Sequence, residues 1–154
     1  MRMSTHTARR WAALALAAAA LLTTGCSTDD SPGTDSPPAE GAVPAELDGQ
    51  SLDAADFAAL AATDGVVLLD VRTPEEFAEG HLEGAVNLNV EGADFAATAA
   101  ELDPDASYAV YCRSGNRSQT ALQVMRSAGV TAAADLAGGI GAWTQAGLPV
   151  VTGS

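Results

Sequence analysis

The chain has 154 residues, 47% apolar and 18% charged, which allows one domain of ordinary size and little room for a second. Acidic residues outnumber Lys and Arg by 20 to 7, and no lysine is present at all. So acidic a surface repels phosphate backbones and anionic head groups, which argues against nucleic-acid partners and against electrostatic attachment to a membrane.

Three of the seven arginines (Arg2, Arg9, Arg10) lie in a basic stretch over residues 1–10, ahead of an Ala/Leu run from Trp11 to Leu22. A spanning helix needs about 20 apolar residues, so the run is too short to cross a bilayer and reads as an export signal over residues 1–25. Its end, Thr23-Thr24-Gly25-Cys26, resembles a bacterial lipobox, and the resemblance implies cleavage before Cys26 and lipidation of that residue. Thr23 stands where that motif usually carries Leu. Arg9-Arg10 leaves the twin-arginine and general export routes both open. Removal of residues 1–25 would leave four arginines against all 20 acidic residues, a net charge of −16. Residues 26–46 hold four of the seven prolines among Ser, Thr, Asp and Gly. Such a segment cannot offset its ordering entropy by burial and is expected to be a solvated tether, with a reach on the order of 25 Å. The expected location is the outer face of the bacterial cytoplasmic membrane, held by the lipid alone, with a secreted or periplasmic protein as the alternative.

A domain is expected over residues 47–152. Phe57, Leu60 and Ala61 share one face of a helix over 53–62. Val66-Val67-Leu68-Leu69 is an apolar run of strand length leading into Asp70-Val71-Arg72. Thr73-Pro74-Glu75-Glu76 carries three helix-start signals: Thr as cap, Pro at the first helical position and Glu three residues after the cap. A second strand is expected over 86–90, a helix over 93–102 and a third strand over 108–111. Residues 112–117 then read as a loop, 118–128 as a helix, 130–136 as a strand, and Gly138-Gly139 opens a last helix carrying Trp143. This alternation predicts an α/β domain with a mainly parallel sheet covered by helices on both faces. Ligands of such sheets bind beyond the carboxyl ends of the strands, where Asp70, Arg72 and residues 112–117 fall.

The loop Cys112-Arg113-Ser114-Gly115-Asn116-Arg117-Ser118 follows a strand and precedes a helix. Turn amides, the positive end of the helix and two guanidinium groups all favour a thiolate at Cys112. Gly115 lets the backbone close around a ligand. The arrangement reads as an anion cradle around a nucleophile. Two cysteines are too few for a disulfide framework or a four-ligand zinc site, and neither a metal nor an organic cofactor is called for. Arg113 and Arg117 could meet a ligand or be solvated, and one of them could brace the loop against Asp70. Asp70 and Arg72 divide between supporting the site and serving local structure, with Glu75 or Glu76 as possible partners for Arg72. His81 is expected as a hydrogen-bonded turn residue, and Trp143 with Ile140 as core.

Five stretches together resemble a rhodanese-type sulfurtransferase domain: residues 70–77 (DVRTPEEF), 80–88 (GHLEGAVNL), 111–118 (YCRSGNRS), Gly138-Gly139-Ile140 through Trp143, and Gly147-Leu148-Pro149-Val150. Glu83 departs from the family, which often has Pro there. The resemblance implies a catalytic Cys112 that takes sulfane sulfur from a donor, holds it as a persulfide and passes it on. It also implies donor binding by Arg113, Ser114, Gly115, Asn116, Arg117 and Ser118. The expected partners are a small sulfur-containing anion, a thiol acceptor and an envelope protein as a further acceptor. Two other readings stay open. One is a non-catalytic persulfide sensor or docking module. The other is a Cys-dependent phosphatase, although that class places its arginine six residues after the cysteine, where this chain has Ser118.

Overall fold

A computed structural model describes residues 47–153. The signal and tether expected over residues 1–46, Cys26 included, lie outside the described residues. Five strands run in parallel in the order β1-β5-β4-β2-β3. They are β1 Gln50–Leu52, β2 Val66–Asp70, β3 Val86–Asn87, β4 Ser107–Tyr111 and β5 Ala133–Leu136. Between and after them come α1 Ala54–Ala61, α2 Pro74–Glu79, α3 Phe95–Ala99, α4 Asn116–Ser127 and α5 Gly139–Gln145.

Strand alternation divides the core in two. Leu69, Val71, Tyr108, Val110, Cys112 and Ala133 face α3 and α4. Leu68, Ala109, Tyr111, Ala134 and Leu136 face α1 and α5, where Phe57, Leu60 and Trp143 fill the layer. The predicted parallel sheet with helices on both faces is what forms. Periodicity also places the α1 stripe correctly, since Phe57 and Leu60 are both buried.

Helix α2 starts as its signals require. The Thr73 hydroxyl accepts the Glu76 amide at 3.4 Å, the Glu76 carboxylate accepts the Thr73 amide at 3.3 Å, and Pro74 occupies the first turn. Here local sequence is sufficient.

Several boundaries shift. Strand β1 has no apolar pattern of its own and exists because Gln50 to Leu52 pair with Ala134 to Leu136. The strand expected over 86–90 keeps only Val86–Asn87 in the ladder, after which Leu88 and Val90 donate to the Asp70 and Val71 carbonyls as an irregular extension. The helix over 93–102 contracts to Phe95–Ala99, and the strand over 130–136 to Ala133–Leu136. Helix α4 begins two residues early, at Asn116, because Gly115 takes a left-handed φ of 98° that turns the chain straight into the helix.

Candidate active site

Cys112 is the first residue past β4, on the α4 side of the sheet, and is 1% exposed. Its Sγ accepts the Gly115 amide at 3.1 Å and lies 3.7 Å from the Ser118 hydroxyl. Burial pushes the Cys112 thiol up. The amides of Ser118, Ser114 and Gly115, with the Ser118 hydroxyl, outweigh it and bring the thiol below its ordinary value. The stabilising groups are peptide dipoles and a hydroxyl. The expected contribution from guanidinium groups is not among them.

Helix α5 holds the other side of the loop. The Ile140 amide donates to the Cys112 carbonyl at 2.8 Å, and the Gly141 amide donates to the Arg113 carbonyl at 3.3 Å. These bonds engage the loop's carbonyls away from the sulfur. Gly139 makes the approach possible. A Cβ there would sit 2.4 Å from the Cys112 carbonyl oxygen and 2.6 Å from the Ser114 nitrogen, both backbone atoms, and its φ of 60° is itself left-handed. The Gly138-Gly139 pair is therefore part of the loop's construction as well as a helix start.

The arginines separate by role. Arg117 reaches α2, where Nη1 and Nη2 meet the Glu76 carboxylate at 2.7 and 2.8 Å, and Nη1 also meets Glu91 at 3.1 Å. The Arg117 guanidinium holds Glu76 down to about 2. Two carboxylates thus occupy the guanidinium expected to meet a ligand, and Arg117 braces the loop against Glu76, where Asp70 was one expected partner. Arg113 is exposed and, alone among the described arginines, has no carboxylate partner. Ser114 and Asn116 are exposed beside it, while Gly115 and Ser118 are buried under the loop.

Asp70 and Arg72 find each other rather than Glu75 or Glu76. The Arg72 guanidinium meets the Asp70 carboxylate at 2.5–3.0 Å, and its Nη2 also donates to the Gly80 carbonyl at 2.7 Å. Burial disfavours the Arg72 charge, but the Asp70 carboxylate holds it protonated more firmly than usual. The guanidinium sits 5.7 Å from the centre of the Tyr111 ring. Tyr111 faces α1 and α5, so this pair braces the β2 end on the face of the sheet opposite Cys112. His81 is hydrogen-bonded as expected, donating from Nδ1 to the Phe77 carbonyl at 2.9 Å and stacking on the Phe77 ring, but it lies in an isolated antiparallel bridge with Val151 rather than in a turn. Trp143 is core, with its indole N–H on the Pro149 carbonyl.

Sequence reasoning missed Asp135. This β5 carboxylate is fully buried and accepts the Ser118 hydroxyl at 2.7 Å, the Ser51 hydroxyl at 2.5 Å and the Gln119 amide at 2.6 Å. The available signal was a lone acidic residue in an otherwise apolar strand, Ala133-Ala134-Asp135-Leu136.

The rhodanese-like domain family matches residues 53–146, more than half of the chain. The chain belongs to the rhodanese-like domain family. A sulfurtransferase of Allochromatium vinosum is 37% identical over 106 residues, which cover 69% of this chain and 94% of that protein. An uncharacterised protein of Synechocystis is 41% identical over 95 residues, and there the match spans 48% of the longer relative. The crystal structure of a rhodanese-related protein from Thermoplasma volcanium superposes with a TM-score of 0.58 at 32% identity, covering 66% of this chain and 97% of that one. In this rhodanese-like domain the sulfur, its amide donors and the Gly138-Gly139 turn all gather at the carboxyl end of β4 and β5.

Proposed function

We propose that the protein is a sulfurtransferase that carries sulfane sulfur as a persulfide on Cys112, from a thiosulfate-like anion to cyanide, a small thiol or a protein cysteine. Family membership and the likeness to a protein named sulfurtransferase support the general activity. The finer reading is carried by one observation: Cys112 Sγ lies among loop amides, with the Gly115 N–H at 3.1 Å, in a loop whose exposed cation, Arg113, is unpaired.

The chemistry follows from those atoms. The Cys112 thiolate attacks the donor's outer sulfur, a new S–S bond forms, and the donor's own S–S bond breaks with its electron pair leaving on a sulfite-like anion. Arg113 attracts the incoming anion, and loop amides stabilise charge on the sulfur before and after each transfer. An acceptor thiolate then attacks the outer persulfide sulfur, and Cys112 departs as a thiolate. Ser114 and Asn116 line the exposed rim, Gly115 supplies its amide, and Ser118 supplies the hydroxyl beneath. Arg117 holds the loop to α2. With that guanidinium committed to Glu76 and Glu91, the loop offers less to a phosphate ester than to a sulfane donor.

The proposal extends to place: export through residues 1–25, lipidation at Cys26 and a tether over 26–46 would hold the domain beside the membrane, near an envelope acceptor. No helix among the described residues is long and apolar enough to cross a membrane. Membrane fractionation tests the anchor, and a Cys26→Ala variant that stays with the membrane overturns it. Incubation with thiosulfate and cyanide tests the chemistry: thiocyanate forms with the parent protein and not with Cys112→Ser. Turnover of an aryl phosphate in place of thiosulfate would reverse the assignment.

A further inference from the structure

The hydrogen bonds beneath Cys112 continue to a group the transfer mechanism above does not use. Ser118 has one hydroxyl proton, which Asp135 Oδ2 at 2.7 Å and the Gly115 carbonyl at 2.8 Å can accept; the Cys112 thiol at 3.7 Å donates to the Ser118 oxygen, and its sulfur competes for the proton once ionised. Among the described residues Asp135 has no cationic partner, and its donors are neutral: Ser118 on Oδ2, and Ser51 and Gln119 on Oδ1. A carboxylate held only by neutral donors is a strong acceptor.

We propose that Asp135 is a positioning residue for sulfur transfer, competing with Cys112 for the single proton of Ser118 and so setting how readily the cysteine ionises. This rests on Cys112 being the reacting group. When Sγ is a thiol, or the inner sulfur of a persulfide, the Ser118 hydroxyl donates to Asp135. When Sγ is a thiolate, the hydroxyl turns to the sulfur, and Asp135 keeps its two donors on Oδ1. The loop amides pull the thiol towards ionisation and Asp135 restrains them. A restraint is useful because an over-stabilised thiolate is a poor nucleophile, although it is a good leaving group.

The other charges around the site do not do this. Asp70 and Arg72, at the end of β2, neutralise each other on the opposite face. Arg117 on α4 is held by Glu76 of α2 and by Glu91. Helix α3 contributes no charged residue over Phe95–Ala99, and Arg113 in the loop points to solvent as an exposed cation. Among the charged side chains of the described residues, Asp135 on β5 alone is hydrogen-bonded to a side chain that touches the sulfur.

The test is the pH profile of iodoacetamide alkylation in the full chain, read by mass spectrometry on the peptide containing Cys112. Asp135→Asn replaces the competing acceptor by an amide that can donate to Ser118. The profile should move to lower pH by roughly one unit, the size of a charge-assisted hydrogen bond gained by the thiolate. In a Ser118→Ala background the same substitution should move it little. Gln119→Ala, at a half-exposed helix position, removes a donor from Asp135, sharpens the competition and should move the profile the other way. That variant decides the matter if Asp135→Asn fails to fold. With thiosulfate as donor and cyanide as acceptor, Asp135→Asn should load sulfur about threefold more slowly and release it about threefold faster at saturating pH. An unmoved profile, or an equal shift without Ser118, overturns the proposal. Shifted profiles with no sulfur transfer would overturn the proposed function, and with it the positioning role in transfer, and leave standing only the control of Cys112 ionisation by Asp135. Transfer with an unmoved profile would do the reverse.

Discussion

Two aspartates sit near the carboxyl ends of β2 and β5, both fully buried, and the protein treats them in opposite ways. Asp70 is matched by the Arg72 guanidinium in a close ion pair that faces away from the sulfur. Asp135 is given only hydroxyl and amide donors, one of which also touches Cys112. The first arrangement closes a charge off and fixes the end of β2 against Tyr111 and the Gly80 carbonyl. The second leaves a charge responsive to what happens at the sulfur. The same residue type supports structure or chemistry according to whether its partner carries a formal charge.

The largest effect should come from breaking the closed pair. Asp70→Ala leaves a buried guanidinium uncompensated and should cost about 3–5 kcal/mol of unfolding free energy, read from urea denaturation. Asp135→Asn keeps shape and most hydrogen bonds and should cost nearer 1 kcal/mol. Equal losses at the two sites would erase the distinction. Next comes Gly139→Ala, whose Cβ meets the Cys112 carbonyl oxygen and the Ser114 nitrogen and cannot be accommodated without moving the loop. Thiocyanate formation should fall by at least tenfold, more steeply than the thermal midpoint. A smaller change is expected from Ser118→Ala, which removes a donor from the thiolate, should raise the pH needed for alkylation and should slow sulfur loading several-fold at neutral pH.

The Glu76–Arg117 pair adds a pH dependence. Glu76 sits at about 2 in the folded chain against 4.5 unfolded, so its contribution is complete above pH 4.5 and is lost as pH falls from there towards 2. Glu76→Gln should therefore lower the thermal midpoint at pH 7 but leave it almost unchanged at pH 2, where the parent has lost the same contribution. The smallest structural effect belongs to Arg113→Ala, an exposed and unpaired position. Its thermal midpoint should hold while KM for thiosulfate rises several-fold, a rise that added salt should reproduce in the parent.

Much of this was legible in the sequence because the signals are local. The α2 start is written into Thr73-Pro74-Glu75-Glu76, and the β4 run places Cys112 at a strand end ahead of a helix. What was not legible depends on distant partners. Strand β1 is made by β5, 84 positions away at Ser51 and Asp135. The Arg117–Glu76 pair joins residues 41 apart, and no local pattern distinguishes it from a guanidinium left open for a ligand. Asp135 lies 17 residues from Ser118 in sequence and becomes its neighbour only through the parallel pairing of β4 with β5. Motif spacing located Cys112 at the strand end, whereas the side chains arranged around its sulfur belong to tertiary structure.

The most direct measurement is the mass of the full chain, and of its Cys112 peptide, after incubation with thiosulfate and then with cyanide. A gain of one sulfur confined to that peptide, lost again as thiocyanate and missing in Cys112→Ser, is the expected result. A chain that takes up no sulfur, with a cysteine that alkylates only in the pH range of an ordinary free thiol, would contradict the role given to the loop.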